Sequence, residues 1–201
     1  MRKEKVCSQK CPTCSHRVLR DDLIDLLSEI EKLNKKYQGT SLELRSAIRH
    51  DIILRQKKMF RQIMKFVTRL KIAPEQVVDE VLRQMNKANR KMFLDFLKEY
   101  ELVNKEQGTN KNLVPYFIAA HPGCTMDDMY ELKKFCVEHK LFANLTQVFT
   151  PTPGTVATAT YYNGRNPLTN EEVYVARTFR ERKEQKEVLF SYDRDVDDES
   201  G

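Results

Sequence analysis

The sequence predicts an α/β protein built from parallel βα units with right-handed crossovers. Three observations predict it. Stretches of strand type and stretches of helical periodicity alternate from residue 40 to residue 150. Residues 113–120 form a nearly continuous apolar run, the pattern of a strand buried on both faces. Each run of strand length also gives way at once to polar, proline or glycine residues. In α/β sheets and barrels such strand ends are where ligands sit.

Leu19, Leu23, Leu26, Leu27, Ile30 and Leu33 repeat at helical spacing and mark a first helix, with Gly39 placed to end it. Residues 40–46 alternate in the manner of a strand. Met59, Phe60, Ile63, Met64 and Val67 mark a second helix, and residues 70–73 a short strand stopped by Pro74. Val77, Val78, Val81, Leu82 and Met85 mark a third helix; Met92, Phe93, Phe96, Leu97 and Tyr100 mark a fourth. The run 113–120 is the next strand, against which Pro115 counts slightly because proline cannot donate to a ladder. His121-Pro122-Gly123 breaks it, and Thr125 with Asp128 reads as a capping box opening a fifth helix with Met129, Leu132 and Cys136 on its apolar face. Residues 145–149 read as a last strand, closed by Pro151 and Pro153. Beyond it, Tyr161, Tyr162, Gly164 and Pro167 suggest loop and extended structure, residues 171–190 a charged helix, and residues 193–201 an acidic disordered tail. The strand ends to watch are therefore residues 46–51, 73–76, 120–124 and 150–154.

The chain has 201 residues, 40% apolar and 32% charged. That suits one domain with a buried core and excludes a disordered chain. No apolar run reaches the ~18 residues of a membrane span. The first residues carry charge with no apolar segment after them, so no secretory signal is expected and the cytoplasm is the expected location. Lys and Arg number 35 against 29 Asp and Glu, a net charge of +6 spread along the chain. Solvated helix faces explain that balance better than nucleic-acid binding, since no basic strand carries base-stacking aromatics.

Cys7, Cys11 and Cys14 follow a C-x3-C-x2-C spacing. A short loop can bring three such thiolates together at low entropic cost to hold a soft metal or cluster. Three cysteines leave one iron of a [4Fe-4S] cube open to a small chelating molecule. His16 can instead complete a zinc site of three cysteines and one histidine. The plainer alternative is unliganded thiols. Arg49 and Asp51 follow the first expected strand; the arginine fork suits a carboxylate or phosphate, and the pair is also a common surface bridge. Glu75 can bind an amine or a ribose hydroxyl, or simply favour a helix N-terminus. His121 ends a buried strand and can act as acid, base or ligand, or merely pack. Cys124 and Cys136 read as small buried hydrophobes and Tyr161 and Tyr162 as packing residues.

Two stretches carry a family resemblance. One is Leu113-Val-Pro-Tyr-Phe-Ile-Ala-Ala-His-Pro-Gly-Cys-Thr-Met-Asp-Asp-Met129. The other is Gln147-Val-Phe-Thr-Pro-Thr-Pro-Gly-Thr-Val-Ala-Thr-Ala-Thr-Tyr-Tyr162, with Gly164 and Asn166-Pro167 after it. Together with Ser46-Ala-Ile-Arg-His-Asp51, Lys71-Ile-Ala-Pro-Glu75, Val81-Leu82, Met85 and Lys87, they resemble the YgiQ-type radical SAM proteins. The resemblance implies the carboxyl-terminal portion of such a protein. Residues 18–154 would be the later βα units of a partial radical SAM barrel, 155–192 the family's mixed extension, and 1–17 a cysteine-rich segment. It implies a [4Fe-4S] cluster on Cys7, Cys11 and Cys14, whose open iron holds S-adenosylmethionine for reductive cleavage to a 5′-deoxyadenosyl radical. Arg49, Glu75 and His121 would line the S-adenosylmethionine or substrate side; the substrate is unknown.

The family's cluster motif has an aromatic residue where Thr13 stands, and the family also has a second cysteine-rich stretch at about the distance of Cys14 from Ser46. The three cysteines fit either. The family's Ser-Gly-x-Arg-Tyr-Asp is here Ser46-Ala47-Ile48-Arg49-His50-Asp51, its Ala-Pro-Glu-His is Ala73-Pro74-Glu75-Gln76, and its Met-x-Lys-Pro has Ala88 for proline. Two further readings stay open: a non-catalytic half that works with an upstream partner supplying the missing strands, and a zinc-stabilised module.

Overall fold

The structure, a computed structural model, describes residues 22–37 and 42–198. Three parallel strands, β1 (Arg69–Glu75), β2 (Asn112–Ala119) and β3 (Leu145–Val148), lie side by side in sequence order. Around them are α1 (Asp22–Lys36), α2 (His50–Ile53), α3 (Lys57–Met64), α4 (Asp79–Gln84), α5 (Arg90–Glu106), α6 (Met126–Glu138), α7 (Val156–Asn163) and α8 (Phe179–Asp198). Helices α4 and α5 join β1 to β2, and α6 joins β2 to β3. These are consecutive βα units of the kind a partial βα barrel contains.

Residue alternation sorts the sheet into two faces. Leu70, Ile72, Phe117 and Ala119 are buried in one core with Phe60 and Met64 of α3, Phe93 and Phe96 of α5, Met129 and Leu132 of α6, and Leu189 of α8. Each of these side chains larger than alanine contributes about 1.5–3 kcal/mol by leaving water. Lys71, Val114, Tyr116, Ile118 and Leu145, on the opposite side of the pleat, are only partly buried, and Gln147 is exposed. Pro115 pairs in register with Ile72, while β3 joins β2 only from Tyr116 onward. At Pro115 only one side of β2 is laddered, which lets proline stand inside the middle strand.

Three expectations change. Residues 42–46 form no strand. Leu44 N–H donates to Phe66 O, and Ile48 makes a single parallel bridge to Ile72 before α2 begins. Residues 156–163, expected as loop, are the helix α7: Thr155 caps it by accepting from Thr158 N–H at 3.2 Å, and Gly164 ends it at φ +68°. The last helix starts at Phe179, not at residue 171, and runs on to Asp198, so the acidic stretch begins inside it. Thr178 and Glu181 fix that start, Glu181 N–H donating to Thr178 Oγ1 and Thr178 N–H to the Glu181 carboxylate. The Thr125–Asp128 box at the head of α6 forms as read.

Candidate functional site at the strand ends

The carboxyl end of β1 is irregular. Pairing with β2 skips between Ile72 and Glu75, and Glu75 has φ +67°, a left-handed conformation uncommon outside glycine. Its carboxylate meets Lys87, with Nζ 2.8 Å from Oε1 and both side chains about four-fifths buried. Lys87 reaches that point because α4 ends in a left-handed residue, Asn86 at φ +51°, after which Lys87 N–H donates back to Leu82 O.

The segment alongside supplies Arg49, His50 and Asp51. The Arg49 guanidinium donates to both Asp51 oxygens, Nε at 3.1 Å and one terminal nitrogen at 2.5 Å. Burial opposes ionisation of Asp51, but the Arg49 bonds and charge outweigh it and hold the carboxyl below its usual range. The fork expected to take a ligand carboxylate is thus engaged by Asp51. His50 is buried between Phe93 and Phe96, with ring centroids 5.2 and 5.9 Å away. Among the described residues neither ring nitrogen has a hydrogen-bond partner. Burial lowers its pKa to about 4; Asp51 opposes the shift, and the charges of Lys87 and Arg49 add to it.

At the end of β2 the chain turns through Ala120, also left-handed at φ +58°, into His121-Pro122-Gly123-Cys124. His121 is buried, its Nδ1 is 2.8 Å from Pro122 O and its ring packs edge-on against Phe149, 5.0 Å away at the end of β3. A carbonyl only accepts, so Nδ1 carries the proton and Nε2 is the acceptor of a neutral imidazole. Burial brings the His121 pKa down to about 4, against the opposing bond to Pro122 O. Gln76 bridges β1 to this loop, its Nε2 donating to Cys124 Sγ at 3.5 Å and Met129 Sδ at 3.7 Å. The Cys124 thiol is pushed up to about 12 by burial, which makes it the inert hydrophobe expected. Beyond Phe149, Tyr161 lies 5.8 Å away and Arg177 covers the Tyr161 ring at 5.5 Å.

Glu75 and His121 therefore lie at the ends of neighbouring strands β1 and β2, linked through Gln76 and Cys124, with Lys87 on Glu75; Arg49, expected at a strand end, instead follows the isolated Ile48–Ile72 bridge and holds Asp51. Cys7, Cys11, Cys14 and His16 lie outside the described residues. Among the described residues no group of three His, Cys, Asp or Glu side chains converges as a metal site would, and no helix is long and apolar enough to cross a membrane. The sequence reading missed Gln185. This α8 residue is buried, its Oε1 accepts from Ala120 N–H at 2.8 Å, and its Nε2 donates to Cys124 O at 2.9 Å. It lies 65 positions from Ala120, and no local pattern marks it.

Residues 144–197 match a family described as a domain of unknown function, DUF3362. Over nearly its whole length the chain is similar to UPF0313 proteins. With one from Methanocaldococcus jannaschii it shares 32% identity over 197 residues, 92% of this chain and 33% of that protein. With one from Thermotoga neapolitana the identity is 37% over 180 residues, 87% of this chain and 32% of that one. With one from Porphyromonas gingivalis it is 36% over 215 residues, covering 96% and 33%. The chain spans about a third of the length of these curated relatives.

Proposed function

From homology to the UPF0313 proteins, the family that includes the YgiQ type, we propose that these residues are the later βα units and the extension of a radical SAM protein of that type. The observation that carries the reading is where the two resemblance-bearing stretches fall. Residues 113–129 and 147–162 wrap the ends of β2 and β3, beside the Glu75–Lys87 pair and His121. Largely buried carboxylate, ammonium and neutral imidazole groups at strand ends suit a zwitterionic, hydroxyl-bearing ligand. A [4Fe-4S] cluster, when bound, supplies the electron that cleaves the sulfonium of S-adenosylmethionine. Glu75 offers an acceptor to an amine or ribose hydroxyl, and Lys87 fixes the position of that carboxylate. His121 Nε2 can accept one further hydrogen bond. Arg49 orders the edge by fixing Asp51.

Cys7, Cys11 and Cys14 are proposed as cluster ligands, and the cytoplasm as the compartment. Anaerobic reconstitution of the full chain with iron and sulfide tests the first point. A brown protein that loses its absorbance at about 400 nm when Cys11 becomes Ala supports it. Failure to take up iron refutes it, and zinc without labile sulfide marks a zinc module instead.

A second reading rests on the partly bare face of the sheet. Lys71, Val114, Tyr116, Ile118 and Leu145 lie where a barrel would be lined by further strands. In this reading those strands come from a separate chain similar to the part of the relatives that this chain does not span. Co-expression with the part of the Thermotoga neapolitana relative that precedes the matched region should give a co-eluting complex; separate elution refutes it.

A further inference from the structure

Residues 144–197 match a domain of unknown function; we propose that this extension is a clamp in which Gln185 and the Tyr174 backbone fix the loop that carries His121. The loop needs such help. At φ +58° Ala120 turns out of the ladder, and its buried N–H requires an acceptor elsewhere. Gln185 Oε1 provides it at 2.8 Å, and the same amide donates from Nε2 to Cys124 O at 2.9 Å. One side chain thus ties both ends of residues 120–124, whose own closure is the bond from Cys124 N–H to His121 O at 2.8 Å.

A second tie comes from the same extension. Gly123 N–H donates to Tyr174 O at 2.8 Å. A Cβ on Gly123 would lie 3.0 Å from Gln84 Cγ and 3.6 Å from Val173 Cγ1, so the loop is wedged between α4 and the extension. Asn166 Nδ2 donates to Gln84 Oε1 at 3.0 Å, which fastens that wedge. Helix α8 is itself anchored by Val188 and Leu189 in the core. A buried glutamine costs desolvation unless both ends of its amide are used. Here both are used on one loop, which a purely packing residue such as leucine could not do.

Gln185 is therefore a positioning residue. It sets the backbone from which the His121 ring reaches Pro122 O and Phe149, and its importance to chemistry rests on the reading of the β2 end as a ligand site. The test needs no cofactor, so its failure is separable from failure of that reading. NMR of the full chain would follow the His121 ring nitrogens and amide exchange in Gln185→Ala and Gln185→Glu. In Gln185→Ala the His121 ring signals and the Cys124 carbonyl carbon signal should move and Ala120 amide exchange should rise about tenfold, with Phe117 and Leu132 unchanged. Gln185→Glu keeps an acceptor for Ala120 but loses the donor to Cys124 O, so the Ala120 amide stays protected while the Cys124 carbonyl carbon signal shifts. Unmoved His121 signals, or protection lost equally at Phe117 and Leu132, would overturn the clamp. If Gln185→Ala folds too poorly to measure, the contrast in Gln185→Glu between a protected Ala120 amide and a shifted Cys124 carbonyl carbon decides alone.

Discussion

Lys87 neutralises Glu75 across a 2.8 Å contact at the one place where β1 departs from its register with β2. The pair is too sheltered to behave as a surface bridge, worth under about 1 kcal/mol. It is too open to carry the full penalty of a buried one. A double-mutant cycle with Glu75→Gln and Lys87→Met should give a coupling of about 1–2 kcal/mol by urea unfolding. Coupling near zero would mean that water screens the contact.

Acid should weaken the fold in a defined window. His50 and His121 titrate at about 4 when folded, against an ordinary value of 6.5. Between those values the unfolded chain binds more protons than the folded one. Stability is therefore full above about pH 6.5 and falls as pH drops toward 4, by up to roughly 3 kcal/mol per histidine. Glu31, held down to about 2, titrates below this window. Urea midpoints at pH 7.5 and pH 5 check the slope. His50→Phe, which replaces an imidazole packed between Phe93 and Phe96 with an apolar ring, should remove one share of it. An unchanged slope in that variant would rule His50 out as a source.

Two substitutions at left-handed positions should act in opposite directions. Gly123→Ala meets both φ +89° and a Cβ position 3.0 Å from Gln84 Cγ, and should cost about 2 kcal/mol. Lys140 is exposed after α6 at φ +52°, so Lys140→Gly should gain about 0.5–1 kcal/mol. Thermal midpoints that move the same way for both would contradict this account.

Much of the layout was legible where periodicity and punctuation agreed. The apolar run through Phe117, the Thr125–Asp128 box and the stripe through Phe93 and Phe96 each name their element correctly. Helix α7 was hidden because its sequence, Val156-Ala-Thr-Ala-Thr-Tyr-Tyr-Asn163, has no apolar stripe; only its caps, Thr155 and Gly164, announced it. The Thr178–Glu181 pair likewise marked the start of α8, while the charged residues before it masked the boundary. Residues 42–46 alternate as a strand does, but alternation supplies no ladder, and only Ile48 finds β1. At the site, Arg49 follows a single bridge and not a strand, whereas Glu75 and His121 were legible as strand-end residues. Their partners were not: Lys87 arrives through a helix-ending turn, and Gln185 through the tertiary packing of α8.

The 65-residue reach from Ala120 to Gln185 also bears on how the molecule is made. Synthesis runs from the amino terminus, and β2 and α6 leave the ribosome well before α8 does. Until Gln185 emerges, the Ala120 N–H lacks its protein acceptor and the His121 loop lacks its ties to the extension. A nascent or prematurely terminated chain thus carries the strand-end residues without their arrangement. The last helix serves as a check on completeness, withholding a formed site from any chain whose translation stopped short.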